Sequence, residues 1–401
     1  MAKRLLIVEE ALKDRVGHWY EYNKAIVEEA RSRGIEVTLL VHQDIEQDVC
    51  EELQATPWFP ATSWDQGYYH PNAILRYFGI VKHNLLVARL MMKYFKKAPE
   101  SDVVLVPTVV LYHWLAWRWL TAIGSKRWFK KLVLTTRNNA GEYDSNTDRY
   151  RFNASAKVLA KVLRSFKRQV RSGVVEMASD SSKLAEQYNS LCGIPFHTYP
   201  HPRNVLDAPL RSVSKETSCR LIISALGPPR YEKGSDLVVG AILKLLEFYP
   251  DLPVNYVVHW TEPVFLPTGE RVDFPPTLEQ AKNVEVIKSS LSSEAYQKRL
   301  DESDLLLLPY RQSQYHARLS GIAIEAFQSY ASCICVSNTW IEDCMTSVGS
   351  GLSIKEESSK ALVEGILEFV QNSQFYQLQA EAHAPLARDF HSSRAFVDKI
   401  F

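Results

Sequence analysis

Short apolar runs alternate with longer amphipathic stretches along this chain. It opens on RLLIVEE, where Leu5 to Val8 are all apolar, then a loop DRVGHWY, a helical pattern through 23–34 and a second apolar run, IEVTLLV. Strand, helix and strand within about 40 residues is the spacing of a parallel βαβ unit. SDVVLVP (101–107), KKLVLTT (130–136) and VVEMASDS (174–181) predict further buried strands, with an aromatic-rich helix over 110–122. The stretch HPRNVLDAPLRSVSKETS (201–218) is mostly polar, carries two prolines and lacks periodicity, so it is the linker candidate.

The alternation then restarts. CRLIISALG predicts a strand, DLVVGAILKLLEFYP a helix, VNYVVHW and NVEVIKS strands, and SSEAYQKRLDES a helix. DLLLLPY and CICVSN predict strands on either side of a helix GIAIEAFQSY, and 359–373 and 375–389 read as terminal helices. The expected architecture is two α/β domains in tandem, 1–205 and 206–401, with the C-terminal helix packing back onto the first. Such sheets bind ligands at the carboxyl ends of their strands, which points to loops 15–20, 137–142, 227–234, 259–262, 309–321 and 337–340.

Composition narrows the class. A chain of 401 residues with 46% hydrophobic and 23% charged positions is an ordinary globular protein, too long for one core. No apolar run reaches the roughly 18 residues of a membrane-spanning helix, and the N-terminus lacks the apolar core of a signal peptide. The six cysteines show no CxxC spacing, so reduced thiols in a cytoplasmic protein are expected and a zinc site is not.

The net charge of +1 conceals an asymmetry: residues 1–210 carry 29 Lys and Arg against 22 Asp and Glu, and 211–401 carry 18 against 24. Residues 76–131 hold eleven Lys and Arg, with only Glu100 and Asp102 opposing them and aromatic residues interleaved. The stretch SAKVLAKVLRSFKRQVRS adds six more basic residues and no acid. Basic stretches with apolar faces suit an anionic membrane surface or a lipid-diphosphate acceptor; solvated lysines over an ordinary core are the plainer alternative. No recognition-helix or RNA-binding signature accompanies them, so no nucleic-acid partner is expected.

Two loops carry candidate chemistry. In LGPPRYEKGSD (226–236), a strand ends at Gly227 and a turn with Arg230 and Lys233 leads into a helix, so a guanidinium, an ammonium and helix amides face one point. That is a diphosphate site by electrostatics, or else a solvated turn with Lys233 paired to Glu232. In LSGIAIEAFQSY (319–330), Ser320 caps a helix whose amides at Ser320, Gly321 and Ile322 would meet an anion. Glu325 stands there among Ile322, Ala323, Ile324, Ala326 and Phe327, where an ionised carboxylate without partners costs several kcal/mol. One turn beyond a phosphate-binding helix tip, it is placed to accept hydroxyl hydrogen bonds from a ribose.

The order of these motifs resembles the retaining GT-B glycosyltransferases of family 4, whose second domain carries a G-R-x-x-x-E-K-G-like loop and an E-x7-E helix motif. The resemblance implies two Rossmann-like domains facing each other across a cleft, the first binding the acceptor and the second the nucleotide sugar. It implies a hexosyltransferase needing neither cofactor nor metal, with a glycan, lipid-linked or small-molecule acceptor, a role in polysaccharide biosynthesis and a cytoplasmic location, peripheral on the inner membrane face. Lys233 matches the family lysine and Glu325 the second glutamate, so Arg230, Lys233 and Glu325 are the expected catalytic residues. Gly17 falls in the first glycine loop beside His18. With Arg137, Ser320, Gly321 and Ile322, those two complete the expected donor-binding set.

The chain departs from the family at three places. Pro228 stands where the arginine would, with Arg230 nearby. Ala317 replaces the first glutamate, with His316 or Arg318 as substitutes, and Arg137 or Asn138 replaces the histidine. His113 is expected to be structural and His201 to sit near the hinge. An inactive GT-B scaffold and a sugar-nucleotide epimerase are the competing readings.

Overall fold

The structure, a computed structural model, describes residues 2–15, 18–65, 70–110, 113–204 and 220–401. Its chain divides into two compact units: 1–142, 150–204 and 391–401 form the first, and 143–149 and 205–390 the second. The expected linker lies mostly outside the described residues.

In the first unit, β1 (Arg4–Glu9) leads to α1 (His18–Ser32), β2 (Glu36–His42), α2 (Gln47–Leu53), β3 (Thr56–Phe59), α3 (Ala73–Phe95), β4 (Ser101–Val106) and α4 (Trp114–Trp128). Then follow β5 (Phe129–Thr136), the hairpin β6 (Glu142–Asp144) and β7 (Arg149–Arg151), whose residues 143–149 fall in the second unit, α5 (Ala154–Arg164), α6 (Lys167–Arg171), β8 (Val175–Ser179), α7 (Ser182–Cys192) and β9 (His197–Thr198). Seven strands pair in the order β3-β2-β1-β4-β5-β8-β9, each pair parallel.

The second unit runs β10 (Leu221–Ala225), α8 (Ser235–Phe248), β11 (Val254–His259), β12 (Val264–Phe265), β13 (Arg271–Val272), α9 (Pro276–Glu279), β14 (Val284–Ile287) and α10 (Ser293–Glu302). It continues through β15 (Leu305–Leu308), α11 (Gln312–Tyr315), α12 (Gly321–Gln328), β16 (Ser332–Val336), α13 (Trp340–Val348), β17 (Gly351–Ile354), α14 (Ser359–Gln371) and α15 (Ser373–Phe390). Its parallel sheet is ordered β14-β11-β10-β15-β16-β17. The last helix, α16 (Ser393–Ile400), belongs to the first unit.

The central strands of both sheets are largely apolar and buried, as expected of parallel sheets covered on both faces. In the second unit, one cluster gathers Val238, Ile242, Tyr256 and Ile366, and another Leu306, Ile324, Phe327 and Ile341. Hydroxyl and amide N-caps then start the helices where the strands' carboxyl ends lie: Asn72, Asn153, Ser181, Ser292, Ser320, Thr339 and Ser358 each accept a first-turn amide hydrogen bond. Cys50, Cys192, Cys333, Cys335 and Cys344 are free thiols.

Two elements differ from the sequence reading. The aromatic helix lies over 114–128 rather than 110–122. Residues 73–95, read only as a basic and aromatic stretch, form one 23-residue helix. That helix is apolar over most of its circumference, which erases the periodicity that would announce it.

Candidate active site

In both sheets the strand order reverses at one place, between β1 and β4 in the first and between β10 and β15 in the second. Ligands of open parallel sheets bind at that switch point. In the second unit the loops there are 226–234 and 309–320, the two that carry the candidate chemistry.

Backbone conformation shapes the first loop. Gly227 has φ +90°, and a Cβ on it would lie 2.8 Å from Ile322 Cδ1 and 3.4 Å from Lys233 Nζ. Lys233 and Ile322, from separate loops, therefore converge on one glycine. A single 3-10 turn, Tyr231–Lys233, is closed by Gly234 at φ +67°, where a Cβ would come within 2.3 Å of the Pro309 carbonyl oxygen. Only glycine permits that approach, and it sets Lys233 beside the start of α8.

Arg311 locks the turn from below. Its guanidinium donates to Asp236 (2.6 Å), Glu357 (3.3 Å) and the Tyr231 carbonyl (3.0 Å), and stacks 3.8 Å from the Tyr231 ring centroid. The cleft beside it has Gly227, Pro228, Lys233, His259, Trp260 and Tyr310 in its walls. His259 is set by a 3.0 Å bond to the Ser289 carbonyl, and burial lowers its pKa, keeping the ring neutral.

Lys233 is the electrostatic centre of this cleft. Burial, then repulsion from Arg230 and Arg318, pulls its pKa from the ordinary 10.5 to about 8, against a weaker opposing pull from Glu232. Among the described residues no carboxylate lies within ion-pair distance of its ammonium, which sits 5.8 Å from the Tyr310 ring centroid. Glu232 instead lies 3.7 Å from the half-exposed Arg230. The Lys233–Glu232 pair of the alternative reading is not formed. A half-buried ammonium crowded by two guanidinium groups favours an anion beside it.

At the second loop, Ser320 Oγ accepts the Ala323 amide at 3.3 Å. The Gly321 and Ile322 amides remain at the open end of α12, and a Cβ at Gly321 would meet no atom within 4 Å. Glu325 is half-buried, and its Oε2 accepts the Tyr296 hydroxyl at 2.8 Å. The acid in the apolar helix is thus engaged, through a tyrosine on α10 that sequence reasoning did not single out.

The positions replacing the family's first glutamate are also occupied. Ala317 is buried, Arg318 lies 5.3 Å from the Tyr315 ring centroid, and His316 stacks on Tyr143 with its Nδ1 2.8 Å from the Asn338 carbonyl. Arg311 and Tyr296 had no signal of their own, since each acts through partners far away in sequence.

The remaining candidates belong to the first unit. Gly17 and the His18 side chain lie outside the described residues. Arg137 follows β5 and is held by Asp180 (3.2 Å), His201 Nδ1 (2.9 Å) and the face of Tyr22 (4.3 Å).

Two acids end β1. Burial raises Glu9 to about 8. For Glu10, burial pushes the same way but His113 and His83 outweigh it, holding the carboxyl at about 2. Ligand atoms of Glu10, His83 and His113 gather within 4.8 Å. The imidazoles, however, lie parallel, 4.5 Å apart at 6°, and both address the carboxylate. Parallel rings aim their nitrogens alongside one another rather than at a common ion about 2 Å away. This is a carboxylate flanked by two imidazoles, hydrogen-bonded to His83 and 3.4 Å from His113 Nδ1.

Neither a protein-family model nor a curated protein matches this chain. Solved structures do. It superposes on the N-terminal domain of Candida albicans trehalose-6-phosphate phosphatase with a TM-score of 0.65 at 12% identity, covering 100% of this chain and 97% of that one. Anabaena HepE in complex with UDP-glucose gives 0.61 at 10%, covering 99% and 98%. A glycosyltransferase from Rickettsia africae gives 0.63 at 13%, covering 99% and 96%. Identities this low carry the fold alone. That fold is GT-B, two Rossmann-like α/β units in one chain.

Proposed function

We propose that this chain is a retaining, metal-independent glycosyltransferase that moves a hexose from a nucleoside-diphosphate sugar to a hydroxyl acceptor, a lipid-linked or polysaccharide-precursor glycan, at the cytoplasmic face of a membrane. The observation that carries the reading is Lys233: a half-buried ammonium with no carboxylate partner among the described residues, facing a cleft beside two helix N-termini. Lys233 and Arg230 would neutralise the diphosphate, with the Gly321 and Ile322 amides closing around it. Glu325, oriented by Tyr296, would accept from the ribose hydroxyls. In a retaining reaction of this type the leaving diphosphate takes the proton from the incoming hydroxyl on the same sugar face. The protein's task is then charge stabilisation, about 3–4 kcal/mol for each well-placed donor. HepE, which resembles this chain in fold, is described with UDP and UDP-glucose, which makes uridine the first base to test.

The test is a thermal-shift panel of UDP, GDP, ADP, TDP and CMP, with and without EDTA. A ligand that binds only the folded state stabilises it by about 2.7 kcal/mol at a hundred times its dissociation constant. One nucleoside diphosphate should give an EDTA-insensitive shift that Lys233→Ala abolishes, and the same variant should turn over about a hundredfold more slowly. No shift from any nucleotide would overturn the reading in favour of a scaffold protein.

A further inference from the structure

Helix α3 is apolar on both of its sides, with Ile80, Val87, Ala88, Met91 and Phe95 buried. Its buried side carries His83, which meets Glu10 at 3.0 Å, and Asn84, which accepts the Ala116 amide at 2.8 Å and donates to the Ile80 carbonyl. Its solvent side carries Ile74, Leu75, Tyr77, Phe78, Val81 and Leu85, with Ile74 73% and Phe78 75% exposed. Ile74, Phe78, Val81 and Leu85 follow one another at four, three and four residues, which aligns them in one stripe. An apolar patch of this size marks an interaction surface. Lys82, Arg89 and Lys93 are exposed along the same helix, Lys96 and Lys97 follow it, and α3 contains no Asp or Glu.

We infer that α3 is a monotopic docking helix that lays this face on an anionic lipid bilayer. Charge complementarity selects the occupant. A second copy would bring two basic faces together, and a nucleic acid would leave the apolar stripe uncovered. A lipid surface with acidic headgroups satisfies both halves at once. The helix does not span: none of the described helices is long and apolar enough, and α3 carries Arg76, Lys82, Arg89 and Lys93 within its length.

The bond from His83 to Glu10, one residue beyond β1, sets the middle of α3 at the carboxyl edge of the first sheet, so docking brings that edge to the bilayer. A lipid-borne acceptor is the consequence. That last step rests on the transferase reading, whereas the docking does not.

Cosedimentation of the full chain with vesicles tests it, using phosphatidylcholine alone and phosphatidylcholine mixed with phosphatidylglycerol. Binding is expected only to the mixed vesicles and should weaken with salt. Phe78→Ser with Leu85→Ser should reduce it tenfold or more, about what burying one large apolar side chain contributes. Lys82→Glu or Lys93→Glu should each reduce it about fivefold or more. The UDP thermal shift, read in parallel, should be unchanged in all these variants and shows that they fold.

No binding to mixed vesicles, equal binding to neutral ones, or indifference to all the substitutions overturns the proposal. So does a solution dimer that Phe78→Ser dissociates. A UDP shift without vesicle binding removes the docking and leaves the transferase reading standing, and vesicle binding without any nucleotide shift does the reverse.

Discussion

Lys233 shows how one residue acquires a property that its sequence neighbourhood only hints at. A lysine before Gly234 in a strand-to-helix turn reads as a phosphate contact, and beside Glu232 it reads equally as half of a surface pair. The structure separates them, because Glu232 turns to Arg230 and Lys233 is half-buried beside the cleft. A measurable pH dependence follows. With a folded pKa near 8, the ammonium is present below that pH and is lost above it. Binding of a diphosphate draws the proton back. UDP affinity should therefore hold steady just below pH 8 and fall by up to tenfold per unit above it. Calorimetric titration across that range should show a flat profile in Lys233→Met. Stability runs the other way: the unfolded lysine keeps its proton up to the ordinary 10.5, so the unliganded protein should gain stability as pH rises from about 8.

At the scale of elements, the two helix starts that frame the cleft use glycine for opposite reasons. Gly234 is left-handed and pressed against the Pro309 carbonyl, a constraint of the fold. Gly321 is helical with open space where its Cβ would stand, a vacancy on the ligand's side. Gly234→Ala should destabilise by about 1–3 kcal/mol, from backbone strain and the clash with Pro309. Gly321→Ala should leave the melting temperature at or above wild type, since alanine is the better helix former. It should nevertheless weaken UDP binding, because a methyl group would stand where the diphosphate approaches. Melting curves with and without UDP distinguish the two. Equal loss of stability in both variants would remove the distinction.

For the whole molecule, the division into two units means that donor binding should register locally. Hydrogen exchange with saturating UDP should slow in 226–238 and 319–326, the segments at the second sheet's switch point. The strands of the first sheet should exchange as before. Protection centred on the first sheet would contradict the assignment of the donor to the second unit.

Much of this was legible from one dimension. Parallel strands buried on both faces are short apolar runs, and a sheet strand cannot hide that signature. Caps and turn glycines are local, so Ser320 and the loop 226–236 could be found by spacing alone. The helix 73–95 could not, because apolar residues outside as well as inside blur the period by which a helix is recognised. Arg311 was equally silent, since its partners, Tyr231 and Asp236 in one segment and Glu357 in another, lie far from it in the chain.

What the sequence by itself determined are the quantities set by near neighbours: the alternation of strand and helix, where helices begin, and which residue types stand at the strand ends. Only the tertiary structure decided which charges meet. Glu325 found Tyr296, Lys233 was left without an acid among the described residues, and Arg137 was tied to Asp180 and His201. The reason is physical. Propensity and capping act over a few residues, whereas desolvation and Coulomb energy depend on what the fold packs around a group, however distant in the chain.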